Sequence, residues 1–464
     1  MSSELNKFPG PINTSSGQPE VVRDGTEEAA TAAEAITFLD SYDLATGKLT
    51  LRSATHFPME IFDFARQFPV EILNASGSKL SVLPQEFGQL DKLRIAFFSD
   101  NEFEEVPEVL SRCSELSIVA FKSNRISVWS ENALPPSIRW LMLTDNLISK
   151  IPASIGKLTN LQKLALTGNR IESLPKEMAS CLELELLRVS ANNFKSAPPA
   201  WLWNHPRLSW YADSGNPFCM SDSPPEIELL DIALNDATFS ENNLIGESPS
   251  SRVYAGTLRV TGEAVAIKIF KRGLTSDGFP KNDMRASIAA GTHRGLIKII
   301  GKLSDHPQNS EGIVMTLVPS DYKKLGHPPD FKTCTRDTFP ADTLFETNCT
   351  LNVLKDISSA CEHLHLRGIS HGDIYAHNIL SNAEGRSFLG DFGAATFYDK
   401  KDGNRESLDV RAFGCLMEDL LDRSGATADR GVLAKLRELQ RACKNPTPTN
   451  RPSFREIQEL LSKM

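Results

Sequence analysis

A hydrophobic pattern of the form LxxLxLxxNxL returns about every 23 residues through the first half of this 464-residue chain. Copies begin at Leu93, Leu116, Ile138, Leu161 and Leu184, with asparagines at Asn101, Asn124, Asn146, Asn169 and Asn192. A degenerate copy begins at Val70, where Ser78 stands for the asparagine, and a terminal one runs from Leu208 to Asn216-Pro217-Phe218. A unit this short cannot bury its own apolar face, but stacked units can, so the pattern demands a curved solenoid with a strand on its inner side. An asparagine carries both donors and an acceptor, which suits it to satisfying backbone groups where each strand turns away. The column is therefore read as structural. Pro84, Pro152 and Pro175, each after a leucine or isoleucine, open the convex side.

In this pattern the leucines at the fourth and sixth positions point inward, so the third, fifth and seventh face the concave side. The third-position column reads Ile72, Ile95, Ile118, Trp140, Lys163, Leu186 and Trp210, with Phe97 and Met142 in the fifth. A ladder of exposed apolar groups marks an interface. The expectation is that Ile95, Phe97, Ile118, Trp140, Met142, Leu186 and Trp210 meet a protein partner, or are covered by another part of the same chain. Residues 36–69 read as an irregular cap, so the repeat domain is expected over 36–219. Residues 1–35, rich in Ser, Glu, Ala and Gly, read as disordered, and 220–238 as a short linker.

Composition narrows the partners and the compartment. A net charge of -9 argues against nucleic acid. No run approaches the ~18 apolar residues of a membrane span and no signal-peptide core is present, which argues against repeats held outside a membrane with the rest of the chain inside it. Eight cysteines scattered without CxxC pairing fit a reduced, cytoplasmic protein.

The second half carries a different signature. Val265-Ala266-Ile267-Lys268 places a lysine on an apolar strand, His371-Gly372-Asp373 is followed by Asn378, and Asp391-Phe392-Gly393 comes one short strand later. These pieces, in this order, resemble the protein kinase family from residue 239 to 464, and the repeats resemble intracellular leucine-rich repeats. The resemblance implies a horseshoe solenoid followed by a bilobal α+β kinase-like domain that uses ATP and Mg²⁺. Lys268 would hold the α- and β-phosphates, Asp373 would accept the hydroxyl proton, and Asn378 and Asp391 would bind Mg²⁺. Gly246, Ser248, Ser251 and Val253 would form the loop over the phosphates, with serines in two of its glycine places. Ala266, Met315 as gatekeeper, Thr316 and Val318 would bind the base. His371 is expected to pack in the core.

Three departures bear on turnover. The helix glutamate that fixes the lysine has no clear counterpart: its place holds Met284, so either Asp283 pairs with Lys268 in a shifted register or the pair is absent. Gly372 replaces the usual arginine, and without it nothing reads a phosphorylated activation loop. Only 18 positions separate Asp391 from Asp409, about half the family's usual span, and the element that docks a peptide substrate is missing. Glu406 is the nearest acid for Arg451. The leading expectation is an ATP-dependent protein kinase, Ser/Thr by family frequency, guided by its repeats. A pseudokinase scaffold and a small-molecule hydroxyl kinase are the alternatives, and Tyr375, where serine/threonine kinases carry a lysine, leaves the acceptor type open.

Overall fold

In the computed structural model the chain forms two compact units, residues 1–146 and 147–464. Residues 38–220, 229–306, 310–399, 401, 404–425 and 430–464 are described. The stretch expected to be disordered, 1–35, and the linker residues 221–228 lie outside them.

The first unit opens with a hairpin, Tyr42–Asp43 against Lys48–Thr50, and the helix Ile61–Gln67, the stretch read as a cap. Parallel three-residue strands follow at Ile72–Asn74, Ile95–Phe97, Ile118–Ala120 and Trp140–Met142, in a register that aligns Ile72, Ile95, Ile118 and Trp140. Each asparagine works as its chemistry requires. Asn101 accepts from Leu80 N (2.9 Å) and donates to Ala75 O (2.8 Å), and Asn146 does the same with Ile126 N (2.9 Å) and Phe121 O (2.8 Å). Pro84 precedes the 3₁₀ turn Gln85–Gln89 on the convex side, a place where the missing N–H of proline costs nothing. Behind the strands the core is built from Phe87, Phe98, Phe103 and Phe121, with Phe98 and Phe121 stacked at 5.0 Å.

The concave apolar column is not exposed. Ile95, Phe97, Ile118, Trp140, Met142, Leu186 and Trp210 are all buried. In-register neighbours on adjacent strands flank one another, and for Trp210 the further cover is described below.

The second unit continues the repeats and then forms the two lobes. Strands Lys163–Ala165, Leu186–Arg188 and Trp210–Ala212 are parallel, and Asn169 and Asn192 bind Ile148 N and Ile171 N at 3.0 Å each. The small lobe is a curled sheet in the order Leu230–Ala233, Ile299–Ser304, Gly312–Thr316, Ala264–Phe270, Ser251–Leu258 and Ala237–Thr238, with Leu244–Glu247 also on Ser251–Leu258. The strand Leu230–Ala233 was not expected. It pairs parallel to Ile299–Ser304, where the missing side chain of Gly301 makes room: a Cβ there would lie 2.5 Å from Leu230 O.

The large lobe packs the helix Thr347–Leu366 against Glu406–Leu421 and Phe454–Leu461. Leu351, Leu354, Ile357, Cys361 and Leu364 form its buried face, at the helical spacing read from the sequence. The Glu406–Arg451 pairing is not formed. Glu406 accepts from the Tyr398 hydroxyl at 2.8 Å, while Arg451 donates to the carbonyls of Asn445, Ser407 and Pro206 at 2.8, 2.9 and 2.9 Å. Those carbonyls cannot share the positive charge as a carboxylate would, and burial pushes the Arg451 guanidinium down to about 9.

Candidate active site

Lys268 sits in mid-strand, opposite Val253 on one side and Ile313 on the other, which fixes its side chain on the cleft face. Its Nζ lies 2.7 Å from Asp283 Oδ2. Asp283 is in the first turn of the helix Pro280–Ala290, where the helix dipole favours a carboxylate. Ser287 Oγ donates to its other oxygen at 3.1 Å. Met284 turns instead into a core cluster with Phe270 and Ile313. Of the two readings of the sequence, the shifted-register pair is the one formed. Burial pulls the Lys268 ammonium down, but Asp283 and Asp391 outweigh it and its pKa is raised. The lysine is a fixed cation in the cleft.

The loop over the cleft is tied to itself. Ser248 Oγ accepts from the amides of Ser250 (3.3 Å) and Ser251 (3.1 Å), so two backbone donors that a phosphate could use are taken. Gly246 pairs with Val253, and a Cβ on it would come no nearer than 3.8 Å to that side chain. Ala266 lies opposite Met315 in the sheet, Thr316 is exposed and Val318 half-buried, along the edge where a base would lie.

The catalytic loop is hung from Asp409. Its carboxylate accepts from the amides of His371 and Gly372 (2.9 Å each), from Ser370 Oγ (3.0 Å) and from His365 Nε2 (2.9 Å). Burial raises the Asp409 pKa, but these donors win and it is lowered. His371 packs against Phe392 and meets Gly390 O at 3.1 Å through Nε2. Asn378 donates through Nδ2 to Asp373 O (3.0 Å) and Oδ2 (2.7 Å), which leaves its amide oxygen available. Asp391, at φ 59°, is exposed to the cleft and accepts from Gly393 N at 3.2 Å. An amide oxygen and a carboxylate are the hard donors that suit Mg²⁺, which binds through one or two protein oxygens plus phosphate and water. No cluster of three or more His, Cys, Asp or Glu among the described residues is placed to hold a metal without such help.

The acceptor side holds a residue the sequence reading passed over. Arg188, on the repeat strand Leu186–Arg188, is 1% exposed and pairs with Asp373 Oδ1. It also donates to Asp277 Oδ1 (2.8 Å) and Gly372 O (3.1 Å). Burial pulls its pKa down, and Asp373 with Asp277 more than restores it. Next to it Trp210 lies flat on Tyr375, with ring centres 4.4 Å apart at 8°, and its Nε1–H donates to Ile374 O at 3.1 Å. Gly372 has φ 67°, and a Cβ on it would sit 2.4 Å from Tyr211 O. The glycine that stands for the family's arginine is what lets the repeat strand reach the catalytic loop. In the fifth-position column Arg188 falls between Ala165 and Ala212, and a lone cation between two alanines was the available signal.

Comparison with known proteins agrees with both halves. Residues 239–413 match the protein kinase domain family and residues 136–210 the leucine rich repeat family. The chain is similar to the L-type lectin-domain containing receptor kinase S.6 of Arabidopsis thaliana, 28% identical over 42% of this chain and 28% of that one. It is also similar to the same plant's cyclin-dependent kinase C-2 C, 24% identical over 46% of this chain and 35% of the relative, and to the CTD kinase subunit alpha of Schizosaccharomyces pombe, 25% identical over 38% and 28%. It spans about a third of the length of these curated relatives. A solved leucine-rich repeat protein of Leptospira interrogans aligns over 35% of this chain and 41% of its own, at 29% identity and a TM-score of 0.33.

Proposed function

We propose that this chain, a leucine-rich repeat array joined to a protein kinase domain, transfers the γ-phosphoryl group of ATP to a hydroxyl. The observation that carries the reading is the Lys268–Asp283 pair at 2.7 Å in the same cleft as Asp373, Asn378 and Asp391. Each motif taken alone is weak, and their assembly around one cleft is what phosphoryl transfer needs. Lys268 grips the α- and β-phosphates, Asn378 and Asp391 hold Mg²⁺, and Asp373 orients the acceptor and takes its proton. Bound Mg²⁺ supplies charge neutralisation along the phosphates. Ala266, Met315, Thr316 and Val318 seat the base, and Gly246, Ser248, Ser251 and Val253 close over it. The acceptor class is a protein serine or threonine by kinship; the short stretch from Asp391 to Asp409 leaves small-molecule hydroxyls as the other class. A cytoplasmic placement is proposed from the likeness to the cyclin-dependent kinase and CTD kinase relatives; no described helix is long and apolar enough to cross a membrane.

A second reading, a nucleotide-binding scaffold without turnover, is favoured by one contact, Arg188 holding Asp373. Intact mass after incubation with Mg·ATP separates the two. Added phosphate in the wild type and none in Asp373→Asn establishes transfer. Asp391→Asn tests the metal role, since it should remove the Mg²⁺-dependent gain in ATP affinity, and an unchanged gain would remove Asp391 from the metal site.

A further inference from the structure

We propose that the concave floor of the last repeats is a built-in inhibitor, with Arg188 and Trp210 closing the acceptor site over Asp373 while the nucleotide cleft stays open. The proposal rests on the phosphoryl-transfer reading and adds its regulation. Oδ1 of Asp373 accepts from Arg188 and Oδ2 from Asn378, and each oxygen keeps a further lone pair, so what stands in the way of an incoming hydroxyl is the buried Arg188 guanidinium seated beside Oδ1. Asp373 is only 6% exposed and Tyr375, two residues on, lies beneath Trp210. The small-lobe loop adds a third piece. Asp277, held by Arg188, stands where a Cβ on Gly393 would meet it at 3.7 Å, so the mouth beside Asp391-Phe392-Gly393 is also lined by this contact. That loop and the helix after it are seated on the repeats, through Thr167 Oγ1 to Ser276 O (2.5 Å) and Asn282 Nδ2 to Ser214 Oγ (3.2 Å).

A latch flanks the plug. Arg405, at the end of the shortened segment, makes two bonds to Asp213 at 2.9 and 2.7 Å and packs its guanidinium over Trp203, Tyr211 and Tyr398. Glu185 accepts from Thr335 Oγ1 at 2.5 Å, and Ser209 Oγ accepts from Arg411 at 2.5 Å. By contrast, Asp391 is exposed and Lys268 keeps part of its side chain open to the cleft. Asp373 is covered while Asp391 is not, so the contacts bear on the acceptor before they bear on the nucleotide. Activation therefore means the last repeats leaving the catalytic loop, and the closed state is the one the contacts at Asp373, Asp277 and Asp213 build.

The test measures ADP formed from Mg·ATP, with water and the protein's own hydroxyls as acceptors, alongside the affinity for Mg·ATP. Wild type is compared with Arg188→Gln and with Asp213→Asn, which opens the same seam from the Arg405 end without touching the catalytic loop. Each variant is first checked for a cooperative melt, so that one informative variant survives if the other fails to fold. The expected result is unchanged Mg·ATP affinity with ADP formation raised on the order of tenfold or more, abolished again when Asp373→Asn is added. A wild type as fast as both variants overturns the block and leaves the phosphoryl-transfer reading standing. Folded variants that bind Mg·ATP and make no ADP overturn both.

Discussion

Trp210→Ala should destabilise the second unit by about 4 kcal/mol, in the range for deleting a buried tryptophan (3–5 kcal/mol). The figure can be built from the contacts. Trp210 is 1% exposed, so nearly all of its transfer energy is lost. Its flat stack on Tyr375 at 4.4 Å contributes about 0.5–1.5 kcal/mol beyond burial. The Nε1–H bond to Ile374 O at 3.1 Å adds about 1 kcal/mol, and removing it strands a buried carbonyl. Trp210→Phe keeps an aromatic face and loses the donor, so about 1–2 kcal/mol is expected. Urea unfolding of wild type, Trp210→Ala, Tyr375→Ala and the double variant forms a cycle whose coupling term should be near 1 kcal/mol. A cost below about 1.5 kcal/mol for Trp210→Ala, or no coupling to Tyr375, would mean the ring does not lie on the catalytic loop in solution.

Gly372→Ala should cost roughly 2 kcal/mol or more, since an alanine at φ 67° is strained and its Cβ would press on Tyr211 O at 2.4 Å; a neutral effect on the thermal midpoint would show that the strand stands further off. Lys268→Met should lower turnover by orders of magnitude while leaving Asp283 a buried acid without its cation; turnover near wild type would refute the phosphate-anchoring role. A pH effect follows from His205, whose Nδ1 accepts from Arg207 N (3.3 Å) and Leu208 N (3.2 Å) while Nε2 meets Cys181 O (3.0 Å). Burial pushes its pKa down from 6.5 to about 4, so the unfolded chain binds the proton first and stability is lost as pH falls from 6.5 towards 4. The loss attributable to this residue is about 3 kcal/mol, and a His205→Gln variant that loses stability as steeply as wild type between pH 7 and 4.5 would refute it.

The repeat array was legible because its signal is periodic and local: each asparagine answers backbone groups one repeat away, as Asn101 does at Leu80 and Ala75. The cleft was legible for the same reason, its groups lying in short motifs. The Lys268–Asp283 pair was only half legible, since one residue of helical register decides whether Asp283 or Met284 faces the lysine, and the core cluster around Met284 settles it. The burial of the concave column was legible only as one of two alternatives, and the choice between them was not. Periodicity tells which face a side chain is on and says nothing of what lies against it, and Arg188 meets Asp373 across 185 residues of chain. The Glu406–Arg451 expectation failed on the same ground, because Arg451 spends one of its bonds on Pro206 of the repeats.

Two of the three departures, Gly372 and the short segment after Asp391, look like erosion when taken singly, and together with Tyr375 they have one physical account. Losing the arginine before Asp373 would leave a void; Gly372 instead admits Tyr211 O, and Arg188 from the horseshoe puts a guanidinium back beside the loop. Losing the long segment after Asp391 would expose the lobe beneath it; Arg405 at its end is instead bound by Asp213 and covered by Trp203 and Tyr211. Tyr375, an apolar platform where a lysine is usual, is covered by Trp210. Each change swaps a feature that serves a free substrate surface for one that fits a docked repeat. If the changes were independent decay, restoring one would be neutral to the others; if they are one interface, Gly372→Arg should disrupt the Asp213–Arg405 and Trp210–Tyr375 contacts together. Amide exchange at residues 371–378 and 405–411 should then rise in step, and a rise confined to 371–378 would break the account.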